Sequence, residues 1–146
     1  MNLIKVHRIG HFFYKKKIPI LPRVFRFIVF LLYNSDIPSS VVIGKNTLFG
    51  HSGIGVVIHQ DAVIGDDCVI GQGITIGGRS KNPTVPVIGN KVYIAAGARV
   101  LGPIKIGDNV IIAPNAVVIN DVADNCIVGG IPAKVLKENI LTKDFI

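Results

Sequence analysis

Several features that identify common protein classes are missing from this sequence. It has only two cysteines, Cys68 and Cys126, so no disulfide framework is expected and a reducing compartment is favoured. No apolar run reaches the roughly 20 residues that a membrane-spanning helix needs. The N-terminus also lacks an apolar run that ends in a small-residue cleavage site, so no signal peptide is predicted. These absences favour a cytoplasmic protein.

The motifs of several enzyme classes are absent as well. There is no phosphate-binding P-loop sequence and no dinucleotide fingerprint after a strand. Of the four histidines, His7 and His11 lie near the N-terminus and are expected to be surface or packing residues. Zinc needs three or four converging ligands, which His51 and His59 alone do not supply, so no metal is predicted. Cys68 is expected to be buried and is therefore a poor nucleophile.

The sequence contains few negatively charged residues. Nine carboxylates face sixteen lysines and arginines, which leaves a formal net charge of +7. A basic protein favours a polyanionic partner: nucleic acid, a membrane surface or a phosphorylated cofactor. Nucleic acid is the weakest of these, because no binding motif accompanies the charge. A hydrophobic content of 49% indicates that much of the chain is buried, which favours an oligomer.

What the chain does contain is a repeat of period six. Aliphatic residues open successive hexads at Ile58, Ile64, Ile70 and Ile76, usually with Gly in the second place and a small or aliphatic residue in the fifth. The same phase continues outside this stretch, at Ile37, Ile43, Phe49, Ile88, Ile94, Val100, Ile106, Ile112 and Val118. Hexapeptide repeats specify a parallel β-helix, in which every sixth residue points inward at the same place on successive coils.

The corner residues fit this prediction. Gly in the second place is expected to allow tight corners with backbone angles that other residues avoid. Asp-Asp, Asp-Asn and Gly-Asn pairs suit the exposed turns that follow. The fold class predicted is all-β, a parallel β-helix with a short N-terminal helical segment and a C-terminal loop or helix.

The chain divides into three parts by composition. Residues 1–36 are predicted to be a helical or capping segment, residues 37–137 the β-helix and residues 138–146 a C-terminal tail. Within the first part, residues 3–14 suggest a short helix, and residues 23–33 are too short to span a bilayer. Residues 23–33 either cap the first coil, as solenoid ends require, or lie in a membrane interface beside the neighbouring cations.

Two interruptions of the repeat are the expected places for a site, because loops carry specificity while regular coils supply rigidity. The first lies between Phe49 and Ile58, nine residues apart, and contains His51. A histidine there is exposed to a groove and can accept a proton near neutral pH. The second is an extended loop over residues 79–86. His59 stands where Gly is usual, and both a corner role and an auxiliary role at the site stay open.

The hexads, Phe49-Gly-His51, Ile74-Thr-Ile-Gly-Gly78 and Gly130-Ile-Pro-Ala-Lys134 together resemble the hexapeptide-repeat acyltransferases, most closely their serine acetyltransferase-like branch. The likeness covers roughly residues 37–137. It implies a left-handed β-helix, a homotrimer, and acetyl-CoA bound in a groove between adjacent subunits. It further implies that His51 is the general base that removes the proton of the acceptor hydroxyl.

The resemblance also implies the remaining site residues. Backbone N–H groups near Gly77 and Gly78 are expected to stabilise the oxyanion beside the cofactor. Other matched positions line the cofactor groove or approach its phosphates: Ala96, Pro114, Asn120 and Lys134. The loop that begins at Arg79 is expected to meet the acceptor.

The chain departs from serine acetyltransferases at three places. They carry Asp immediately before the catalytic histidine, where this chain has Gly50, and an Arg-His pair where it has Thr84 and Val85. Their long N-terminal helical domain is missing too. These absences argue that serine is not the acceptor, and the acceptor predicted is a sugar hydroxyl, as in surface polysaccharide biosynthesis. The basic and aromatic residues from Lys15 to Tyr33 suit an enzyme that works near the inner face of a membrane. The alternatives are serine, an amino sugar, and a non-catalytic scaffold; a carbonic anhydrase is disfavoured by the missing third histidine.

Overall fold

The computed structural model describes residues 2–145. Two α-helices come first, α1 over Leu3–Lys15 and α2 over Leu21–Tyr33. Short strands follow, each separated from the next by a corner or loop: β1 Val42–Ile43, β2 Leu48–Phe49, β3 Val57–Ile58, β4 Val63–Ile64, β5 Val69–Ile70, β6 Thr75–Gly77, β7 Val87–Ile88, β8 Tyr93–Ile94, β9 Arg99–Leu101, β10 Lys105–Ile106, β11 Ile111–Ile112, β12 Val117–Val118, β13 Cys126–Gly130 and β14 Ala133–Glu138.

The strands form three sheets, and from β1 to β12 the chain visits them in strict rotation. Face A contains β1, β4, β7 and β10; face B contains β2, β5, β8, β11, β13 and β14; face C contains β3, β6, β9 and β12. Neighbouring strands within a face are parallel, apart from the antiparallel pair β13 and β14. Ile58 pairs with Ile76, and Ile76 with Val100, so hexad openers stack on one another. The predicted parallel β-helix is confirmed.

The hexad openers form the core. Those from Ile58 to Val118 are all buried, with exposed fractions of 3% or less. The fifth-place residues Ala62, Cys68 and Ile74 are buried with them. Burying an aliphatic side chain of this size contributes about 1.5–3 kcal/mol, so the stack dominates the stability of the coils.

The glycines in the second place act for a different reason from the one predicted. Gly65, Gly89 and Gly107 do not adopt positive φ angles. Instead, a Cβ added at Gly89 would lie 2.7 Å from the carbonyl oxygen of Gly107 on the next coil, a distance that side chains do not tolerate. The second place is therefore small because successive coils approach closely at this corner, not because the backbone is left-handed.

The corner between faces A and B, which we call the aspartate corner, satisfies its own backbone groups. Asp66, Asn90 and Asp108 follow the second-place glycines on successive coils. The Asp66 N–H donates to Asn90 Oδ1 at 2.9 Å, and the Asn90 N–H donates to Asp108 Oδ1 at 2.6 Å. Such bonds pair N–H groups that would otherwise be left without partners at a corner. The predicted turn residues thus link one coil to the next.

The N-terminal helices cover the open end of the first coil. α1 buries Leu3, Val6 and His7 against it, while α2 packs on α1 and buries Val29. His7 Nε2 lies 3.2 Å from the Pro38 carbonyl oxygen. The capping role therefore falls chiefly to α1. Neither helix in residues 2–145 is long and apolar enough to cross a bilayer.

The C-terminal part adds another strand to the coil. After the last hexad opener, Val118, β13 pairs in parallel with β11 through Val128. β14 then turns back as the antiparallel edge strand. The tail forms a 3-10 turn at Thr142–Asp144, and the Thr142 hydroxyl donates to Asn109 Oδ1 at 2.8 Å. This tail packs against the aspartate corner.

Candidate active site

The first interruption of the repeat forms a tight turn that displays His51. A 3-10 turn spans Gly50–Gly53, and within it His51 and Ser52 adopt left-handed backbone angles, with φ of 46° and 59°. A non-glycine residue pays about 1 kcal/mol or more for this conformation. The His51 side chain is exposed, and no hydrogen-bond partner for its ring lies among residues 2–145. The imidazole is thus presented to solvent and free to contact a ligand.

The segment that joins the helices to the first coil fixes this turn. The Ser35 side chain is buried, with an exposed fraction of 2%. Its hydroxyl donates to the Gly53 carbonyl oxygen and accepts the Val56 N–H at 3.2 Å. The Gly55 N–H donates to the Asn34 carbonyl oxygen at 3.1 Å. The C-terminal end of the turn is therefore held by residues 34 and 35.

His51 lies at the corner between faces B and C, which we call the His51 corner. Ala96 and Pro114 occupy the same corner on later coils, each the second residue after its strand, β8 or β11. Ala96 is half-buried and Pro114 is exposed. Since neighbouring strands are about 4.8 Å apart, these residues mark a track about 15 Å long that starts at His51. The structure thus aligns two of the predicted cofactor positions with the predicted base.

Four other predicted residues fall at the opposite edge of face C. We call this corner, between faces C and A, the His59 corner. It contains His59 after β3, Gly77 and Gly78 at the end of β6, and Asn120 after β12. A Cβ added at Gly77 would meet no atom within 4 Å, so its backbone faces open space. Gly77 therefore offers room for a ligand to approach the main chain.

The second interruption leaves the coil at the His59 corner. Residues 78–84 are exposed, and Arg79 and Asn82 form an isolated antiparallel bridge. Thr84 is exposed, and its N–H donates to Asn82 Oδ1 at 2.9 Å. Val85, by contrast, is buried in the hydrophobic core with an exposed fraction of 7%. Its prediction as a substrate-loop residue needs correction, because its side chain anchors the loop instead of facing outward.

A cavity of about 280 Å³ lies on face C beside the His59 corner. Arg26, Asp36, His59, Thr75 and Gly77 are among the residues that line it. Arg26 donates to both carboxylate oxygens of Asp36, from Nε at 2.7 Å and from Nη2 at 2.8 Å. This hydrogen bond raises the pKa of Arg26 above its usual value. The cavity therefore holds both a cation and an anion.

Sequence reasoning missed this ion pair, although the repeat contained a signal for half of it. Asp36 pairs with Val57 as an isolated parallel bridge, and Val57 directly precedes the hexad opener Ile58. Residues in that place point out of the coil, so the phase of the repeat puts Asp36 on the outer surface of face C. Nothing in the sequence pattern links Arg26 to it, because α2 lies outside the repeat.

The two histidines of the coil do not share a site within one chain. His51 and His59 lie at opposite edges of face C, and the cavity on that face is lined by His59 and not by His51. His59 Nδ1 accepts the Asp61 N–H at 3.3 Å and lies 3.7 Å from Asp61 Oδ2. An auxiliary role for His59 beside His51 would therefore need a second copy of the chain.

Two more residues named from the sequence are Lys134 and Cys68. Lys134 is exposed on the edge strand β14, where it pairs with Gly129. Cys68 is fully buried, and burial raises the pKa of its thiol, which makes it a poor nucleophile. Within residues 2–145, no three His, Cys, Asp or Glu side chains are placed to hold a metal ion.

The fold and the hexad core define the class of protein. Residues 86–120 match the family model for the bacterial transferase hexapeptide, in six repeats. Over this stretch the chain is similar to the hexapeptide-repeat transferases.

Relatives of the chain share the name serine acetyltransferase. The chain is 40% identical over 132 residues to a serine acetyltransferase of Synechococcus elongatus. The matched residues make up 89% of this chain and 54% of the relative. The chain is 37% identical to one from Mycobacterium tuberculosis, over 91% of this chain and 58% of the relative. Serine acetyltransferase from Brucella abortus, solved in complex with coenzyme A, superposes with a TM-score of 0.90 at 30% identity, over 94% of this chain and 56% of the other. The chain spans just over half the length of these proteins.

These relatives contradict the prediction of a sugar hydroxyl as the acceptor in polysaccharide biosynthesis. They are named serine acetyltransferases, which was the alternative. The prediction relied on Gly50, Thr84 and Val85 in place of charged residues. It overlooked that another cation and carboxylate, Arg26 and Asp36, lie on face C.

Proposed function

We propose that this chain is an acetyl-CoA-dependent O-acetyltransferase that acts on serine. The observation that carries the proposal is the exposed, unpartnered imidazole of His51 at the head of an open corner, in a fold whose relatives are serine acetyltransferases. A hydroxyl is a weak nucleophile until a base takes its proton, and an imidazole is suited to that task at neutral pH.

The chemistry assigned to His51 is proton transfer. Its imidazole takes the proton of the serine hydroxyl while the oxygen attacks the thioester carbonyl, and the C–S bond then breaks. The departing thiolate receives the proton back from the imidazolium, which leaves O-acetylserine, free CoA and a neutral histidine. Acetyl-CoA enters as a substrate, and the coenzyme A complex of a structural neighbour supports it as the donor.

The two edges of face C offer places for the donor. The track from His51 through Ala96 and Pro114 suits an extended arm of the cofactor, and the open backbone at Gly77 and Gly78 suits the developing oxyanion. Lys134, exposed at the far end of the coil, suits the phosphates. Because these groups lie at different corners, one chain does not surround the ligand.

We further propose that the site is completed in a homotrimer. Apolar side chains around the His51 turn are exposed: Leu48 at 54%, Ile54 at 50% and Val57 at 44%. Packing against an adjacent subunit would bury them and bring the His51 corner of one subunit to the His59 corner of the next. Sedimentation equilibrium tests this directly, since a monomer at micromolar concentration would contradict it.

Arg26 and Asp36 suit the acceptor. Serine is a zwitterion, and the cavity on face C holds a guanidinium for its carboxylate and a carboxylate for its ammonium group. Arg26 uses two nitrogens on Asp36, which leaves N–H groups available to a second carboxylate. This arrangement provides the charge recognition that the residues at 84 and 85 do not.

Steady-state kinetics of Arg26→Gln test the acceptor site. A charge-assisted hydrogen bond contributes about 1.5–3 kcal/mol, so the KM for L-serine should rise about 10- to 100-fold. The KM for acetyl-CoA should stay within a factor of two or so. The matched control is Arg23→Gln, an exposed neighbour on α2 outside the cavity, which should leave both constants unchanged. An unchanged KM for serine in Arg26→Gln would contradict this acceptor site without touching the role of His51.

A further inference from the structure

The positive charge of this protein is concentrated in its helical hairpin, by which we mean α1, α2 and the turn between them. Residues 1–35 contain seven lysines and arginines and no carboxylate, whereas residues 36–146 contain nine of each. The β-helix and tail are therefore neutral overall, and the hairpin carries the whole net charge of +7. A site for a phosphorylated cofactor on the coils does not explain cations placed on the helices.

An apolar stripe runs along the outer side of α2. It consists of Ile20, Val24, Phe27 and Leu31, with exposed fractions of 67%, 43%, 58% and 62%. Their spacing of four, three and four residues places them on one face of a helix with 3.6 residues per turn. The buried Val29 lies on the opposite side of α2. The stripe thus points away from the body of the chain and has no cover among residues 2–145.

The cations and the stripe meet at the turn between the helices. Lys15, Lys16 and Lys17 are separated from Ile20 by two residues, Ile18 and Pro19, and all three lysines are exposed. None of them forms an ion pair with any residue in the range 2–145. Beside them lies a cavity of about 720 Å³ whose lining includes Lys15, Lys17 and Arg23 together with Ile18 and Pro19. Unpaired cations next to exposed aliphatic and aromatic groups are the composition of an interfacial helix.

We propose that the helical hairpin docks on an anionic lipid surface. The stripe enters the boundary between headgroups and acyl chains, and the lysines of the turn contact the phosphates. α2 has 13 residues, which is too short to span a bilayer, so it lies along the interface. A second copy of the chain fits this surface less well, because pairing two hairpins would bring together two sets of seven cations, of which Arg26 alone is paired with a carboxylate within residues 2–145.

The experiment is co-sedimentation of the full chain with vesicles. Vesicles of phosphatidylcholine alone are compared with vesicles that contain phosphatidylglycerol in addition, at low and at high salt. The protein should sediment with the anionic vesicles and be released as salt screens the charges. Equal binding to both vesicle types, or to neither, would overturn the proposal.

Two variants separate specific docking from general charge. Each lysine near an anionic surface strengthens binding about fivefold, so Lys15→Gln/Lys16→Gln/Lys17→Gln should weaken partitioning by about 100-fold. The matched control, Lys105→Gln/Lys137→Gln/Lys143→Gln, removes the same charge from exposed residues outside the hairpin and should bind like the wild type. An equal loss in both variants would show that net charge alone is responsible and would overturn the proposal.

The stripe is tested separately by Phe27→Ser/Leu31→Ser. Both side chains are more than half exposed, so the double variant should fold normally, which far-ultraviolet circular dichroism checks. It should lose vesicle binding and keep the sedimentation mass of the wild type. A lower mass together with unchanged vesicle binding would assign the stripe to contact between copies of the chain and refute its role in lipid docking.

Discussion

Acidification should loosen the helical hairpin through His7. This imidazole is buried, with an exposed fraction of 2%, and its Nδ1 has no hydrogen-bond partner among residues 2–145. Its pKa is lowered from 6.5 to about 4, chiefly by burial; the bond to the Pro38 carbonyl opposes this shift, and the charges of His11 and Arg8 add to it. His7 is therefore neutral in the folded protein at pH 5, and its Nε2–H donates to Pro38.

The sign and size of the effect follow from proton binding. Between pH 6.5 and about pH 4 the unfolded chain binds a proton at His7 and the folded chain does not, so the free energy of unfolding falls as the pH falls. One pH unit within this window corresponds to about 1.4 kcal/mol. Lowering the pH from 7 to 5 should therefore cost about 2 kcal/mol at this residue.

Urea unfolding at fixed protein concentration measures this cost. His7→Gln is the matched variant, because an amide can still donate to the Pro38 carbonyl but does not titrate. Its free energy of unfolding should fall by about 2 kcal/mol less than that of the wild type between pH 7 and pH 5. All other titrating groups are common to both proteins and cancel in the comparison. The same pH dependence in wild type and variant would refute the buried, neutral state of His7.

Two further changes test the corners of the coil. Lys91 has a left-handed backbone, with φ of 53°, at a place on the aspartate corner where Asn46, Asp67 and Asn109 have the same conformation. Asparagine tolerates this region better than lysine, so Lys91→Asn should raise the free energy of unfolding by about 0.5–1 kcal/mol. The control Lys105→Asn, within β10, should not raise it. An unchanged free energy of unfolding in Lys91→Asn would contradict the argument. Ser35→Ala removes the hydroxyl that holds the His51 turn, so kcat should fall about tenfold or more while calorimetric acetyl-CoA affinity is kept. An unchanged kcat would show that the turn holds its shape without Ser35.

The repeat alone predicts the fold and most of the core. Because a side chain in the opening place points inward on every coil, Ile58, Ile70 and Ile94 are identified as core residues without any long-range information, and all three are buried. The phase also predicts that His51 falls in an irregular turn. The conformation of that turn was not predictable, since the turn is hydrogen-bonded to Ser35, which lies outside the repeat.

Features that depend on contacts between the helices and the coil escaped prediction. The ion pair of Arg26 and Asp36 joins a helix to the first coil, and no periodicity connects the two. The core position of Val85 was missed because the loop before it hides the phase of the repeat. The reason for glycine at position 89 was also missed, because it lies in the distance between successive coils and not in the local backbone.

Release of free CoA from acetyl-CoA in the presence of L-serine tests the central claim most directly. The wild type should turn over with serine, and His51→Asn should lower kcat by about 100- to 10,000-fold, the range that a general base contributes. Asparagine tolerates the left-handed backbone at this position, so the turn should be kept, and calorimetry should show unchanged binding of acetyl-CoA. Serine turnover at the wild-type rate in His51→Asn, or no turnover with serine in the wild type, would contradict the account.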